Sequence, residues 1–175
     1  MLTTGTGRWA DAAAIARPWI AANVARHVEI GSPSGPVAGA EFVGAEQQVH
    51  RRLADPAAFA VLADDDGEMV AMTLVLQALE QDGASPEPLP GLAHISMVAV
   101  HPDRWGHGLA ALVLHVAQHE ARKRGFARAQ LWTHETNRRA QRLYERHGWA
   151  ASGRTKIDDY GEPIRHYVRE LCTRS

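Results

Sequence analysis

The sequence predicts a single α+β domain, residues 1–175, in which helices flank a mixed central sheet. A chain of 175 residues suits one domain, and a hydrophobic fraction of 45% is enough for a core. Patterns typical of strands and of helices alternate along the chain, and no internal repeat or linker divides them. Two of these patterns are hairpins, which indicate antiparallel strand pairs within the sheet.

Helical patterns dominate the first third of the chain. A short edge strand is predicted over Leu2–Thr6, and apolar residues at helical spacing predict a helix over 9–28. Pro18 lies inside that helix and is expected to kink or divide it. The Gly/Pro/Ser-rich segment Gly31–Ala40 is interpreted as a loop, either a mobile lid or a connector. A second helix is predicted over 44–55.

The middle of the chain predicts a hairpin and a central strand. Apolar runs over 58–64 and 68–77 flank a short Asp-Gly turn, which is the pattern of an antiparallel hairpin. A loop rich in breaker residues is predicted over 81–91. The strongly apolar run 92–100 then predicts a strand in the centre of the sheet.

The last third of the chain alternates helices and strands. A helix over 107–125, a strand over 127–135 and a helix over 136–148 are followed by a hairpin formed by 149–158 and 163–171. Both helices end at a glycine, which is typical of a helix C-terminus. Basic residues in the last turn of the first helix suit the negative end of its dipole.

Composition and charge exclude several function classes. The net charge of −1 and the pI near 6.8 show no basic excess, so we expect no nucleic-acid partner. The single cysteine, Cys172, allows no intrachain disulfide, which fits a reducing compartment. No apolar stretch approaches the roughly 20 residues that span a bilayer, and the first residues lack the features of a signal peptide. We therefore expect a cytoplasmic protein without a membrane partner.

The ten histidines raise the question of a metal site. His115 and His119 lie four residues apart on one predicted helix, as a metal-binding pair would. A metalloprotease motif needs glutamate directly after the first histidine, and Val116 is there. Both histidines lie mostly off the predicted buried face of the helix, so we expect a solvated face and no metal. The predicted buried face consists of Leu109, Leu112, Val113 and Val116.

The stretch HPDRWGHGLAAL, residues 101–112, connects the central strand to the next helix. It places Gly106 and Gly108 at the start of that helix, where unpaired N–H groups and a partial positive charge favour anions. Glycine removes the Cβ atoms that would block an anion, so the pattern predicts a phosphate cradle. Glycines required only for tight packing are the alternative. The Walker tripeptide does not occur, and Ala111 occupies the third glycine position of the dinucleotide-binding pattern.

Two segments of the chain resemble the GCN5-related N-acetyltransferase (GNAT) family. The first family signature is Gln or Arg, two residues, Gly, one residue, and then Gly or Ala. The segment Trp105–Ala110 fills it with Trp105 in the first place, a mild departure because backbone N–H groups make most of the cradle. The second signature is a strand followed by a helix with fixed positions. Its matches here are Asn137, Ala140, Tyr144, Gly148 and Trp149.

This resemblance implies that acetyl-CoA, or another acyl-CoA, is the co-substrate. Its pantetheine arm is expected to lie along the strand that ends in Val98, Ala99 and Val100. Asn137 is expected to hydrogen-bond the pantetheine or the nearby backbone. The resemblance also implies that the two strands containing SMVAV and QLWTH are parallel and splay apart, which leaves a cleft for the thioester. The residues expected to hold the pyrophosphate are Trp105, Gly106, His107, Gly108, Leu109 and Ala110.

For the chemistry, the resemblance implies direct attack of an amine on the thioester, without a covalent enzyme intermediate. Tyr144 matches the family's usual proton donor to the leaving thiolate, with packing of the ring on the sheet as the alternative. Ser96 stands where many members carry a glutamate base, and a serine can hold a water there. His94 should face the same side of the strand and titrates near neutrality, so it is a second candidate for the base. Glu41 either contacts a cationic substrate or is a surface acid.

The expected function is therefore N-acetyl transfer from acetyl-CoA to the amine of a small molecule or a peptide. Among enzymes, the alternatives are a hydroxyl acceptor or a longer acyl-CoA. Outside enzymes, the alternative is a non-catalytic domain that binds or senses acyl-CoA. Asn137 and Tyr144 favour the enzyme, whereas the missing strand glutamate favours the sensor. Because members of the family often dimerise, a homodimer is a further expectation.

Overall fold

The computed structural model of the protein describes residues 1–7, 12–30 and 44–171. Three features of the sequence analysis lie outside these residues: the loop Gly31–Ala40, Glu41 and Cys172. Among the helices of the described part, none is long and apolar enough to cross a membrane.

Helices and strands of the described residues build a mixed sheet with helices, as predicted. The helices are α1 (Ala12–Ile30), α2 (Ala45–Leu53), α3 (Leu109–Lys123) and α4 (Arg138–Arg146). The strands are β1 (Leu2–Gly7), β2 (Phe59–Asp65), β3 (Glu68–Leu79), β4 (Pro88–Val100), β5 (Arg128–His134), β6 (Ala150–Ile157) and β7 (Pro163–Glu170). The strand order is β1-β2-β3-β4-β5-β7-β6. The β4–β5 pair is parallel, and the pairs β1–β2, β5–β7 and β6–β7 are antiparallel.

The chain divides into two compact units. Unit 1 comprises Met1–Leu74 and Met97–Ala117. Within it, β1 pairs with β2 from Leu2 opposite Asp65 onwards, which confirms the predicted edge strand. The interior of this unit contains fully buried apolar side chains from both helices and strands. Burial of such side chains is the main favourable contribution to folding.

Unit 2 comprises Val75–Ser96 and Gln118–Ser175, and it contains the closing hairpin of β6 and β7. Strand β7 pairs along its whole length with β5. Strand β4 pairs with β5 only from Leu92 opposite Arg128 to Ile95 opposite Leu131. Both strands continue beyond this register, β4 to Val100 and β5 to His134. The parallel pairing of β4 with β5 therefore ends after four residue pairs. The splay of the two strands stays a prediction.

Two elements differ from the sequence prediction. Helix α1 continues through Pro18, which is buried, so the proline does not divide it. Strand β4 begins at Pro88, although breaker residues predicted a loop as far as residue 91. The amide of Gln77 donates to the carbonyls of Leu89 at 2.7 Å and Leu92 at 3.2 Å. These contacts satisfy backbone groups of an extended segment that a sequence pattern rich in proline does not favour.

The buried face of α3 is partly different from the predicted one. Leu109 and Val113 are buried as predicted, but Leu112 and Val116 are only half-buried. The observed face follows the i, i+4 spacing of small residues, which a count of large apolar residues underrates. Its other buried members are Leu114, Ala117, Gln118 and Ala121. His115 and His119 are exposed, as predicted for a solvated face.

Candidate active site

The turn between β4 and α3 has the geometry of an open cradle. Gly106 and Gly108 have φ values of +84° and +75°, a region that glycine occupies without strain. A Cβ atom built on either glycine meets no heavy atom within 4 Å, apart from its chain neighbours. Tight packing therefore does not explain these glycines. What they provide is a left-handed backbone with free space beside it.

Backbone N–H groups of this turn are available to a ligand. Arg104 N–H donates to the His101 carbonyl at 2.9 Å, and Trp105 N–H donates to the Pro102 carbonyl at 3.1 Å. Within the described residues, none of the five N–H groups from Gly106 to Ala110 donates to a backbone carbonyl. The first residues of any helix leave such donors unpaired, and their dipoles favour an anion.

Side chains hold the turn in this shape. The indole N–H of Trp105 donates to the Val100 carbonyl at 2.9 Å, which ties the turn back to the end of β4. Nδ1 of His107 lies 3.2 Å from the Arg104 carbonyl and 3.1 Å from the Trp105 carbonyl, so this nitrogen is a donor. Trp105 departs from the family signature, which has Gln or Arg at this position. Its indole is instead a structural tie that the signature does not show.

Strand β4 presents the two candidate bases on one face. His94, Ser96 and Val98 are half-buried, and they alternate with the buried residues Ile95 and Met97. This alternation confirms that His94 and Ser96 face the same side of the strand. Ala99 and Val100, which the resemblance places along the pantetheine together with Val98, are buried. A contact of their main chain with pantetheine stays a prediction.

Asn137 has a structural role at the start of α4. It is the N-cap residue of the helix, and its Oδ1 accepts from the Ala140 N–H at 3.1 Å. This bond satisfies one of the donors that a helix N-terminus leaves unpaired. The capping role accounts for the asparagine by itself, so its predicted contact with pantetheine stays a prediction.

Tyr144 lies on the inner side of α4 and is buried, with 6% of its surface exposed. Its ring centroid lies 6.1 Å from that of Trp149 and 5.8 Å from that of Tyr167. Burial raises the pKa of the Tyr144 phenol well above its ordinary value. Tyr144 therefore keeps its proton at neutral pH, which is the state that a proton donor needs. The structure shows packing as well, so the two interpretations of this residue are compatible.

Three polar side chains of unit 2 form a hydrogen-bonded cluster that the sequence analysis missed. His166 Nε2 lies 3.1 Å from Oε1 of Gln130, and His166 Nδ1 lies 2.8 Å from Oγ of Ser152. The amide oxygen can only accept, so Nε2 carries the hydrogen and Nδ1 accepts from the serine hydroxyl. His166 is buried, with 3% of its surface exposed. Burial lowers its pKa, and the nearby charge of Arg154 lowers it further.

The cluster lies beside an open cavity of about 750 Å³ in unit 2. Gln130 and His166 line this cavity, together with apolar residues of β4 and β7. Its charged lining residues are Arg128, Arg154, Arg169 and Glu170. Arg154 donates to Oδ2 of Asp82 at 2.6 Å, and its guanidinium lies 5.3 Å from the Trp132 ring centroid. A cavity of this size with a few converging polar groups is typical of a small-molecule site.

Another histidine, His134, contacts two carboxylates of the β6–β7 hairpin and does not line the cavity. His134 Nε2 lies 3.0 Å from Asp158 Oδ2 and 3.4 Å from Glu162 Oε2. Oδ1 of Asp158 also accepts from the N–H groups of Tyr160 and Glu162, so these contacts hold the turn between β6 and β7. Among the described residues, no group of three or more His, Cys, Asp or Glu side chains could hold a metal ion.

Comparisons with known proteins agree with this geometry. The sequence profile of the Acetyltransferase (GNAT) family matches residues 32–149. No curated protein sequence matches the chain. Among solved structures, the ribosomal-protein-S18-alanine N-acetyltransferase of Escherichia coli is similar, with a TM-score of 0.67, 19% identity, and coverage of 100% of this chain and 97% of that one.

Two further solved structures show the same fold. The PaiA N-acetyltransferase of Thermoplasma acidophilum, solved in complex with coenzyme A, has a TM-score of 0.70 and 10% identity, with 95% of this chain and 98% of that one covered. An N-acetyltransferase of Staphylococcus aureus Mu50 has a TM-score of 0.71 and 14% identity, with 98% and 99% covered. The family match spans more than half of the chain, and the chain therefore belongs to the GNAT family of acetyltransferases.

Proposed function

We propose that the protein transfers an acetyl group from acetyl-CoA to the amine of a small molecule or a peptide. The observation that carries the proposal is the turn before α3. Gly106 and Gly108 open it, and five N–H groups in it donate to no backbone carbonyl among the described residues. Free backbone N–H groups at the start of a helix support the binding of a phosphate group. Membership of the GNAT family, and the coenzyme A complex of a protein with the same fold, support acetyl-CoA as the ligand.

In this proposal each part of the chain has one task. Acetyl-CoA supplies the thioester, and the turn Trp105–Ala110 binds its pyrophosphate through backbone N–H groups. The end of β4, from Val98 to Val100, orients the pantetheine arm through its main chain. Tyr144 gives its proton to the sulfur as the thioester bond breaks, because its raised pKa keeps the phenol protonated until then. The attacking amine must lose a proton to a base on the acceptor side.

The first test is binding. Acetyl-CoA at about 100 times its Kd should stabilise the fold by about 2.7 kcal/mol, which raises the melting temperature by about 5–10 °C for a chain of this size. An acetyl thioester of N-acetylcysteamine, which lacks the pyrophosphate, is the matched control and should leave the melting temperature unchanged at the same concentration. No shift with acetyl-CoA at millimolar concentration would contradict the proposal.

The second test is turnover. A broad panel of amines is incubated with acetyl-CoA, and free coenzyme A is measured with a thiol reagent after subtraction of the enzyme's single cysteine. Release that depends on the amine, with the sequential initial-rate pattern of a direct transfer, is the expected result. Alcohols and longer acyl-CoA molecules in the same assay test the alternative substrates. Binding of acetyl-CoA without release for any acceptor would favour the sensing domain.

A further inference from the structure

A row of polar side chains crosses four strands of unit 2. His94 on β4 is the register partner of Gln130 on β5, and register partners place their side chains on the same face of a sheet. Gln130 accepts from His166 on β7, and His166 accepts from Ser152 on β6. Gln130 and His166 also line the 750 Å³ cavity. The row therefore leads from the strand of the predicted bases to an open cavity on the same face.

We propose that this cavity binds the amine acceptor and that Ser152 and His166 accept the proton of its ammonium group. The inference rests on the proposed function, since it assigns the base of that reaction. Ser152 is exposed and its Oγ lies 2.8 Å from Nδ1 of His166, which lines the cavity, so in this proposal Ser152 meets the acceptor at the edge of the cavity. Both ring nitrogens of His166 already bond protein groups, so the acceptor cannot bond that ring directly. His166 acts through Ser152 and is the residue of the pair that finally carries the proton.

The proton transfer balances without any further reactant. The acceptor ammonium gives a proton to Oγ of Ser152 while the hydroxyl hydrogen of Ser152 passes to Nδ1 of His166, which lies 2.8 Å away. The amine becomes neutral, His166 becomes an imidazolium, and the serine hydroxyl is restored. Gln130 holds the ring in the required tautomer, because its Oε1 accepts the Nε2 hydrogen. The proton leaves to solvent after the acetyl group has been transferred.

Burial and the nearby charges set the protonation state of His166, which must be neutral to accept a proton. Arg154 and Lys156 on β6 disfavour the imidazolium, and Asp82 in the segment between β3 and β4 favours it. On β5, the ring of Trp132 lies 4.7 Å from the imidazole, and the charge of Lys156 is 4.6 Å from that indole. On β4, His94 is the titratable residue of this face, one strand beyond Gln130. Burial is the largest cause of the lowered pKa of His166, so the side chain is neutral at pH 7. The other charged residues that line the cavity are Arg128, Arg169 and Glu170.

The kinetic test compares Ser152→Ala, His166→Gln and the double variant with the wild type, each with an amine acceptor found in the panel. Both single variants should lower kcat/KM by about 10²- to 10⁴-fold, the usual contribution of a positioned base. The double variant should be no slower than the slower single one, because the two residues act as one unit. His119→Gln, an exposed histidine of α3, is the matched control and should behave as the wild type.

The pH profile separates proton transfer from mere packing. In the wild type, kcat/KM should fall as the pH drops through the pKa of His166, which lies below the ordinary histidine value of 6.5. This acidic limb of the pH profile should be absent in His166→Gln. If the limb persists in His166→Gln and disappears in His94→Ala, the base is His94 and the inference is wrong. A stable acetyl group on Ser152, detected by mass spectrometry of the wild type, would make the serine an acyl acceptor and would also overturn it.

A spectroscopic test does not depend on turnover. Nitrogen-15 NMR of the wild type, assigned with His166→Gln, should show a neutral His166 at pH 7 with the hydrogen on Nε2. A protonated ring, or a hydrogen on Nδ1, would overturn the inference even if acetyl transfer is found. Conversely, a correct tautomer in a protein that releases no coenzyme A with any acceptor would refute both the proposed function and the role of this pair in it.

Discussion

Gly108→Asp tests the cradle because it adds a charge where the structure has only space. The new side chain meets no neighbouring heavy atom within 4 Å of its Cβ, so the fold can accept it. The backbone there has a φ of +75°, which costs most residues other than glycine about 1–2 kcal/mol. Aspartate tolerates this conformation better than most residues, so its cost lies at or below that range. For a chain of this size, each kcal/mol lowers the melting temperature by about 2–4 °C.

The effect on binding should be larger than the effect on the fold. A carboxylate about 4 Å from a pyrophosphate opposes its two charges by about 1 kcal/mol each, even at the dielectric constant of water. A loss of about 2 kcal/mol weakens the Kd for acetyl-CoA by about 30-fold. At a concentration that is 100 times the wild-type Kd, the stabilisation should fall from about 2.7 to about 0.9 kcal/mol. The thermal shift should therefore shrink to about 2–4 °C.

The matched control is Gly125→Asp at the other end of α3. Gly125 also has a positive φ, +90°, and a Cβ atom there also meets nothing within 4 Å. The control carboxylate lies at the negative end of the helix dipole, so the control should lose more stability than Gly108→Asp. It should nevertheless keep the full thermal shift with acetyl-CoA. Thermal unfolding with and without ligand, together with calorimetric titration, measures both effects. If Gly108→Asp binds acetyl-CoA as tightly as the control does, the phosphate site lies elsewhere and the reasoning fails.

Three further predictions concern single side chains. Tyr144→Phe should lower the rate in single-turnover assays by about 10- to 1,000-fold, because only the proton-donating hydroxyl is lost. The Kd for acetyl-CoA should stay within about twofold. An unchanged rate would remove Tyr144 from the mechanism. Asn137→Ala should cost about 1 kcal/mol of stability in denaturant unfolding, because it removes the cap of α4, and Asn137→Asp, which keeps a cap oxygen, should not. Both variants lose the side-chain amide, so a higher KM for acetyl-CoA in the aspartate variant, whose cap is intact, would support the pantetheine contact, and an unchanged KM would contradict it. Arg154→Gln should raise the pKa of His166, because it removes a nearby cation and leaves Asp82 without that ion-pair partner. The acidic limb of kcat/KM should therefore move to higher pH. A limb that stays in place or moves to lower pH would contradict its assignment to His166.

The cradle could be predicted from the sequence because its signal is local. Gly106 and Gly108 lie two residues apart, directly after an apolar strand, and the requirement for positive φ and open space falls on those residues alone. The capping role of Asn137 is local in the same sense, since its partner is Ala140. Such features follow from short-range backbone geometry, which the sequence pattern records.

The proton-accepting pair could not be predicted because its signal is not local. His166 meets Gln130 across 36 residues and Ser152 across 14 residues. Strand pairing brings these side chains together. The register shift between Ala151 and Thr155 on β6 contains Gly153 with a φ of +83°, and this local signal of a bulge does not indicate which distant residues meet. A shift of one residue would move the side chains to the other face of the sheet. For the same reason, the family resemblance predicts a base only at His94 and Ser96, which lie on one strand.

The proposed proton acceptor and the proposed proton donor lie on opposite faces of β7. His166 and Tyr167 are consecutive in the strand, so their side chains point to opposite faces. His166 bonds Gln130 on one face, whereas the ring of Tyr167 contacts Tyr144 and its register partner on β5 is Leu131, on the other face. Direct transfer requires that the amine lose a proton before the sulfur gains one. An acid and a base on the same face could exchange that proton with each other, whereas the sheet between Tyr144 and His166 prevents it.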